Sequence, residues 1–149
     1  MSFISSNYQQ ILKNISKYGT KNAKMVAVSK NHSVESVKIA INSGIRIFGE
    51  NRVQEAEKKF LNLKSSFQDL ELHLTGPLQT NKTKEAIKLF DVFHTLDREK
   101  LAKEFVRQGN LKNKKFFIQV NTGKEENKSG IYLEQLDEFI KYCRNDLAL

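Results

Sequence analysis

The chain has 149 residues, of which 39% are hydrophobic, and this is enough for one globular domain with a continuous apolar core. Its single cysteine, Cys143, excludes an internal disulfide framework, argues against a cysteine-based zinc site and favours a reducing cytoplasm. The net charge of +8 admits an anionic partner, but lysines lie beside acidic residues throughout, as in EAEKK, so we expect solvated helix faces and no nucleic-acid partner.

The predicted elements begin with one amphipathic helix, whose apolar residues recur at helical spacing and which ends at Gly19. Short β-type runs then alternate with helical patterns. The predicted strands span 25–28, 45–48, 70–74, 92–95 and 116–120. A helical pattern follows each strand, and the last one carries Phe139 and Cys143. Asn51 is placed to cap the helix after the second strand, with Gln54 three residues further on.

This alternation predicts an α/β fold with a parallel sheet and helices outside it. Two architectures fit: an open doubly wound sheet, or part of an eight-stranded barrel, which needs roughly 200 residues or more. The apolar ending RNDLAL is what a barrel cut after its fifth helix would show. We expect a single domain over 1–149, without a linker. No run approaches the roughly 20 apolar residues of a membrane span, so we expect a cytoplasmic protein without membrane contact.

Ligands of parallel α/β proteins collect at the carboxyl ends of the strands, which directs attention to the residues after each strand. These are Ser29 to His32, Gly49 to Asn51, Thr75 to Pro77, Leu96 with Asp97, and Asn121 to Gly123. Among them, Lys30 directly follows a strand of buried type. Apolar walls and nearby cations favour the nucleophilic free amine of a lysine, which Schiff-base chemistry requires. The alternative is an exposed lysine at a strand end.

Two further patterns carry weaker hypotheses. The segment from Gly76 to Thr83 is one residue away from a phosphate-binding loop, but Asn81 replaces the second glycine and Pro77 removes an amide donor. The alternative to a nucleotide site is a strand-to-helix turn. His73 and His94 fall on neighbouring strands and could meet as metal ligands, but no carboxylate pattern completes a set. We expect a structural histidine pair and no metal.

Four segments in this order and at these distances resemble one known family: VAVSK, FGENRVQEA, LHLTGPLQTNKTK and IQVNTGKEENKSGI. Together they resemble the pyridoxal phosphate homeostasis proteins of the YggS/PROSC type, and the resemblance covers Met25 to Ile131. It implies a partial (β/α) barrel of the TIM type, akin to the N-terminal domain of alanine racemase. It also implies that Lys30 holds pyridoxal 5′-phosphate (PLP) as a Schiff base, that Asn51 lines the cofactor pocket, and that the GPLQTNK segment is no nucleotide site.

The resemblance implies a binding function without catalytic residues: a protein of vitamin B6 homeostasis that keeps PLP and passes it to PLP-dependent apoenzymes. We also expect a monomer. Family members continue with glycine- and serine-rich stretches that grip the PLP phosphate, and this sequence has none. We therefore expect a C-terminally truncated member, with phosphate-binding residues beyond Leu149. The enzyme alternative, a racemase-like PLP-dependent amino-acid enzyme, requires a second base opposite Lys30. We identify no such base: the four tyrosines occur in helical segments, and Tyr132 alone lies close to a strand-end loop.

Overall fold

The computed structural model describes residues 3–19 and 22–149. In these ranges a leading helix is followed by βα units, each with its strand before its helix. The strands are β1 (Ala27–Val28), β2 (Ile47–Glu50), β3 (Glu71–Leu74), β4 (Val92–Leu96) and β5 (Lys115–Ile118). The helices are α1 (Phe3–Tyr18), α2 (Val34–Asn42), α3 (Val53–Ser66), α4 (Thr83–Leu89), α5 (Glu99–Gln108) and α6 (Leu136–Lys141). No helix of the described ranges is long and apolar enough to cross a membrane.

The five strands form one sheet in the order β1-β2-β3-β4-β5, and every neighbouring pair is parallel. A doubly wound sheet reverses its strand order at a switch point, and no reversal occurs here. A sheet that grows by one neighbouring strand per βα unit is the arrangement of a (β/α) barrel. The structure therefore selects the partial barrel from the two predicted architectures.

The two faces of the sheet differ in what covers them. On the outer face, Phe48 packs on Phe60 of α3 with ring centroids 5.5 Å apart, and Phe93 packs on Phe105 of α5 at 4.8 Å. These residues belong to the buried apolar core. Side chains alternate across a strand, so their neighbours lie on the opposite face, which we call the inner face. There Phe117 is 54% exposed and Val28 is 48% exposed, whereas His73 is buried. The described residues therefore leave part of the inner face uncovered.

One predicted cap is wrong. The cap of α3 is Arg52, in an extended conformation (φ −132°, ψ 130°) and without a side-chain capping bond, and Asn51 lies one residue too early. The Asn51 side chain has another partner, since the Thr75 hydroxyl donates to Asn51 Oδ1 at 2.8 Å. A tertiary contact thus overrides the local capping preference.

Candidate functional site at the carboxyl edge of the sheet

Lys30 lies in the turn that follows β1. The Ser29 amide donates to the Gly49 carbonyl at 2.9 Å and so extends the pairing of β1 with β2, and the His32 amide closes the turn onto the Ser29 carbonyl at 3.1 Å. Asn31 is left-handed (φ 63°), a conformation that asparagine tolerates better than most residues. The Lys30 side chain is exposed. The apolar walls expected around it are therefore not found among the described residues.

The Lys30 amine makes no hydrogen bond or ion pair with any residue of 3–19 or 22–149. Lys59, on α3, shows the opposite environment. Its ammonium donates to the Ser29 carbonyl (2.7 Å), to Glu50 Oε1 (2.9 Å) and to Glu55 Oε1 (2.7 Å). All three of its N–H groups are thus used, whereas the Lys30 amine is available to a ligand.

Lys59 belongs to a buried group that we call the anchor cluster: Ser29, Glu50, Glu55 and Lys59. The Ser29 hydroxyl donates to Glu50 Oε1 at 2.6 Å, and the Glu50 side chain is fully buried. Burial lowers the pKa of Lys59, but hydrogen bonds to Glu55 and Glu50 outweigh it, so the net pKa is raised. The hydrogen bond from Lys59, and next that from the Asn31 amide, lower the pKa of Glu55. The cluster is therefore held as an ion-paired network.

Lys59 is a site residue that the sequence-based predictions missed, although the sequence contains a signal for it. Lys59 falls within the apolar stripe of α3 that also carries Ala56, Phe60 and Leu63, and Glu55 lies four residues before it. A charged residue in a core-facing position requires a buried partner. That partner, Glu50, comes from the end of a neighbouring strand, which spacing along the chain does not reveal.

Asn51 follows β2 and lies beside the loop after β3. A Cβ at Gly76 would press on the Asn51 carbonyl oxygen and lie 2.8 Å from Asn51 Cα, so glycine permits this close approach of two backbones. The Thr75 hydroxyl donates to Asn51 Oδ1, and the Asn51 NH₂ group has no partner within the described ranges. Asn51 also lines a cavity of about 720 Å³ with Lys82 and Arg98. It thus offers a donor at the edge where Lys30 lies.

The two histidines do meet on the inner face. His73 Nδ1 and His94 Nε2 are 2.8 Å apart, and His73 Nε2 lies 2.9 Å from Glu71 Oε1. Burial, and then the charge of His73, lower the pKa of His94. Hydrogen bonding to His73 lowers the pKa of Glu71, and Lys115 adds to this. No group of three or more histidine, cysteine or acidic side chains in the described ranges could hold a metal ion.

The segment from Gly76 to Thr83 forms a strand-to-helix turn, as the alternative to a nucleotide site predicted. A short 3₁₀ turn (Thr80–Lys82) leads into α4, with Lys82 as the residue before the helix. Thr83 is fully buried. In a phosphate-binding loop this hydroxyl would face a metal ion bound to nucleotide, and here it faces the protein interior.

The other strand ends have local structural roles. Asp97 pairs with its neighbour Arg98, whose guanidinium also donates to the Leu78 carbonyl at 2.8 Å. The Asn121 side chain donates to the carbonyls of Glu125 and Lys128 and so shapes the polar loop after β5. Within the described ranges, the end of β1 thus offers the unpaired Lys30 amine, and the end of β2 offers the unpaired Asn51 amide beside the loop after β3.

A sequential parallel sheet with helices on its outer face and a lysine directly after its first strand defines a class, the barrel domain of alanine racemase type. The chain belongs to the family described as alanine racemase, N-terminal domain, whose family model matches residues 2–148. The fold predicted from the sequence is thereby confirmed.

The resemblance predicted from the four motifs is also confirmed. The chain is 37% identical over 146 residues to the pyridoxal phosphate homeostasis protein of Buchnera aphidicola subsp. Schizaphis graminum, a match that covers 95% of this chain and 62% of that relative. The chain therefore spans less than two thirds of this relative's length.

Solved structures agree. PipY of Synechococcus elongatus without PLP superposes with a TM-score of 0.85 at 32% identity, over 97% of this chain and 65% of PipY. PipY with PLP bound superposes with a TM-score of 0.78 at 29% identity, over 95% of this chain and 64% of PipY. Alanine racemase from Corynebacterium glutamicum gives 0.61 at 20% identity, over 91% of this chain and 37% of the racemase, which shows the fold alone.

Proposed function

We propose that this chain holds PLP through the Lys30 amine, as a Schiff base, and serves PLP homeostasis without catalytic turnover. The observation that carries the proposal is the exposed, unpaired Lys30 amine at the carboxyl end of β1, with the free amide donor of Asn51 at the carboxyl end of the neighbouring strand β2. The Buchnera relative is named as a homeostasis protein, and one similar structure contains PLP, whereas the alanine racemase match shows the fold alone. These names support the binding function over the racemase alternative.

The residues present fit the aldehyde end of PLP. An unpaired primary amine is the group that condenses with an aldehyde, and Asn51 adds an amide donor. Gly49 lies between β1 and β3 in the sheet, and a Cβ there would lie 3.2 Å from Val26 Cγ1 and 3.4 Å from Thr75 Cγ2. Neighbouring side chains thus already fill the space that a larger residue at 49 would need.

When bound, PLP supplies an aldehyde that exchanges between amines. Lys30 would provide the resident amine that holds the aldehyde as a Schiff base, with water as the other product. Asn51 would donate from its NH₂ group while Thr75 holds Oδ1. An exposed Lys30 permits an incoming amine to reach the same carbon, as release to an acceptor requires.

The proposal also covers the acceptors of PLP, the cellular location and the oligomeric state. We propose that PLP-dependent apoenzymes are the acceptors, and that the protein acts as a cytoplasmic monomer. Incubation of the PLP-loaded chain with a PLP-dependent apoenzyme should restore that enzyme's activity faster than the same amount of free PLP in buffer without the chain. Light scattering should give the mass of one chain. Equal restoration in both samples, or the mass of a dimer, would contradict these parts.

The binding proposal is tested by the visible absorbance that PLP gains as an imine. The unchanged chain, Lys30→Ala and the matched control Lys38→Ala are each mixed with a slight excess of PLP. Lys38 is an exposed lysine of α2. We expect the imine absorbance in the unchanged chain and in Lys38→Ala, and its loss in Lys30→Ala. Equal absorbance in all three would mean unselective reaction with surface lysines and would reject the proposed site.

A further inference from the structure

The anchor cluster touches the backbone on both sides of Lys30. On the β1 side, Lys59 bonds the Ser29 carbonyl and Glu50 bonds the Ser29 hydroxyl. On the other side, the Asn31 amide donates to Glu55 Oε1 at 2.7 Å. Lys59 bonds the same oxygen of Glu55, also at 2.7 Å. One network therefore fixes the residue before Lys30 and the residue after it.

We propose that Glu55 and Lys59 are positioning residues, which hold the Lys30 turn so that the amine stands at the carboxyl edge, ready for an aldehyde ligand. This inference rests on the proposed function, because it concerns how Lys30 meets PLP. Neither residue is required to touch the cofactor. Both act through the backbone of Ser29 and Asn31.

The position of α3 explains how the network reaches the turn. Glu55 lies in the first turn of α3 and Lys59 one turn later, so both side chains project from the same helix face. Phe48 against Phe60 packs this helix on the outer face of the sheet. The anchors thus come from a rigid element of the core, which is where a reactive group's support is most precise.

Stability alone is a poor explanation for the cluster. Lys59 and Glu50 are both buried, and Glu50 Oε2 has no hydrogen-bond partner within the described ranges. Buried ion pairs often contribute no more than apolar residues of similar volume, because both charges lose their hydration. Asn31 also adopts a left-handed conformation, which most residues avoid. A cluster of this kind serves better to fix one geometry than to stabilise the fold.

Glu55 offers a sharper test than Lys59, because its side chain is 28% exposed and that of Lys59 only 8%. Replacement of Glu55 by alanine also keeps a good helix former in α3. The assay traps imines with borohydride over a range of PLP concentrations and maps the labelled lysines by mass spectrometry. Glu55→Ala removes the bond to Asn31. Glu57→Ala is the matched control, an exposed glutamate of the same helix. Glu55→Gln is the rescue, since its amide oxygen still accepts from Asn31.

In Glu55→Ala, we expect the PLP concentration for half-maximal Lys30 labelling to rise roughly tenfold, the effect of losing hydrogen bonds to a charged group. Glu57→Ala and Glu55→Gln should stay within about twofold of the unchanged chain. Reductive methylation of Lys30 by formaldehyde, which needs no pocket, should be equal in all variants. Buried Lys59 should remain unlabelled throughout, which shows that the fold is intact.

The outcomes separate this inference from the proposed function. Lack of Lys30 labelling in the unchanged chain overturns the proposed function and this inference with it. Normal labelling in the unchanged chain with an equal half-maximal concentration in Glu55→Ala overturns the inference alone. If Glu55→Ala does not fold, Glu55→Asp replaces it, because it keeps the charge but shortens the reach to Asn31 by one methylene. Glu55→Asp should then weaken labelling, and unchanged labelling contradicts the inference.

Discussion

Replacing Lys59 by methionine keeps an unbranched side chain of similar length on α3 but removes the ammonium from the anchor cluster. Glu50, which is 0% exposed, then loses its cationic partner and keeps only the Ser29 hydroxyl. The Ser29 carbonyl and Glu55 each lose a charged donor as well. The variant therefore leaves a fully buried carboxylate without a cationic partner.

Removal of one partner from a buried ion pair costs about 3–5 kcal/mol. The upper part of this range applies here, because the Lys59 side chain is only 8% exposed and makes three bonds. For a chain of this size, each kcal/mol lowers the melting temperature by about 2–4 °C. At about 4–5 kcal/mol, we therefore expect Lys59→Met to melt about 8–20 °C lower than the unchanged chain.

Thermal and urea unfolding followed by circular dichroism measure this difference. The double variant Glu50→Gln/Lys59→Met is the control, because it removes the stranded charge together with its partner. We expect the double variant to be more stable than Lys59→Met alone, since an uncharged buried amide is less costly than an unpaired carboxylate. A loss below about 1 kcal/mol in the single variant would refute the reasoning, because exposed ion pairs have that magnitude.

Three more predictions follow from the same structure. Gly76→Ala should destabilise the chain by about 1–3 kcal/mol in urea unfolding, because its Cβ would strike the Asn51 backbone, whereas Gly123→Ala should be nearly neutral because its nearest contact is a flexible side chain. The lowered pKa of Glu71 means that its stabilising contribution is present above its usual value of 4.5 and is lost as the pH falls through the lowered folded pKa. The advantage of the unchanged chain over Glu71→Gln should therefore shrink on acidification, and a constant difference in unfolding free energy between pH 7 and strongly acidic pH would contradict this. Burial raises the pKa of the Cys143 thiol, so iodoacetamide should alkylate Cys143 slowly in the native chain and rapidly in urea; equal rates would show that the thiol is accessible in the folded state.

The fold was largely predictable from the sequence because period-two and helical patterns alternate without interruption. The ends of the strands were less certain: β1 begins at Ala27 where the apolar run predicts Met25, and β5 ends at Ile118, with Val120 in an isolated bridge to Ile131. Apolar runs indicate burial, whereas strand limits depend on where a neighbouring strand pairs. Element patterns alone left the doubly wound sheet and the barrel open; the motif resemblance implied the barrel, and the observed strand order confirmed it.

The candidate site was predictable only in part. The position of Lys30 after a strand was readable from the chain, but its surroundings were not, since it is exposed where apolar walls were expected. Asn51 was assigned as a helix cap, and the structure gives that place to Arg52. The anchor cluster joins residues 29, 50, 55 and 59 through contacts between separate elements. Spacing along one element cannot reveal such contacts.

The central claim, that Lys30 is the residue that holds PLP, is tested most directly by borohydride reduction of the PLP-treated chain followed by peptide mapping. We predict one dominant adduct, on the peptide that contains Lys30, with only background labelling of the other lysines. Labelling scattered over many lysines, with no preference for Lys30, would contradict the claim.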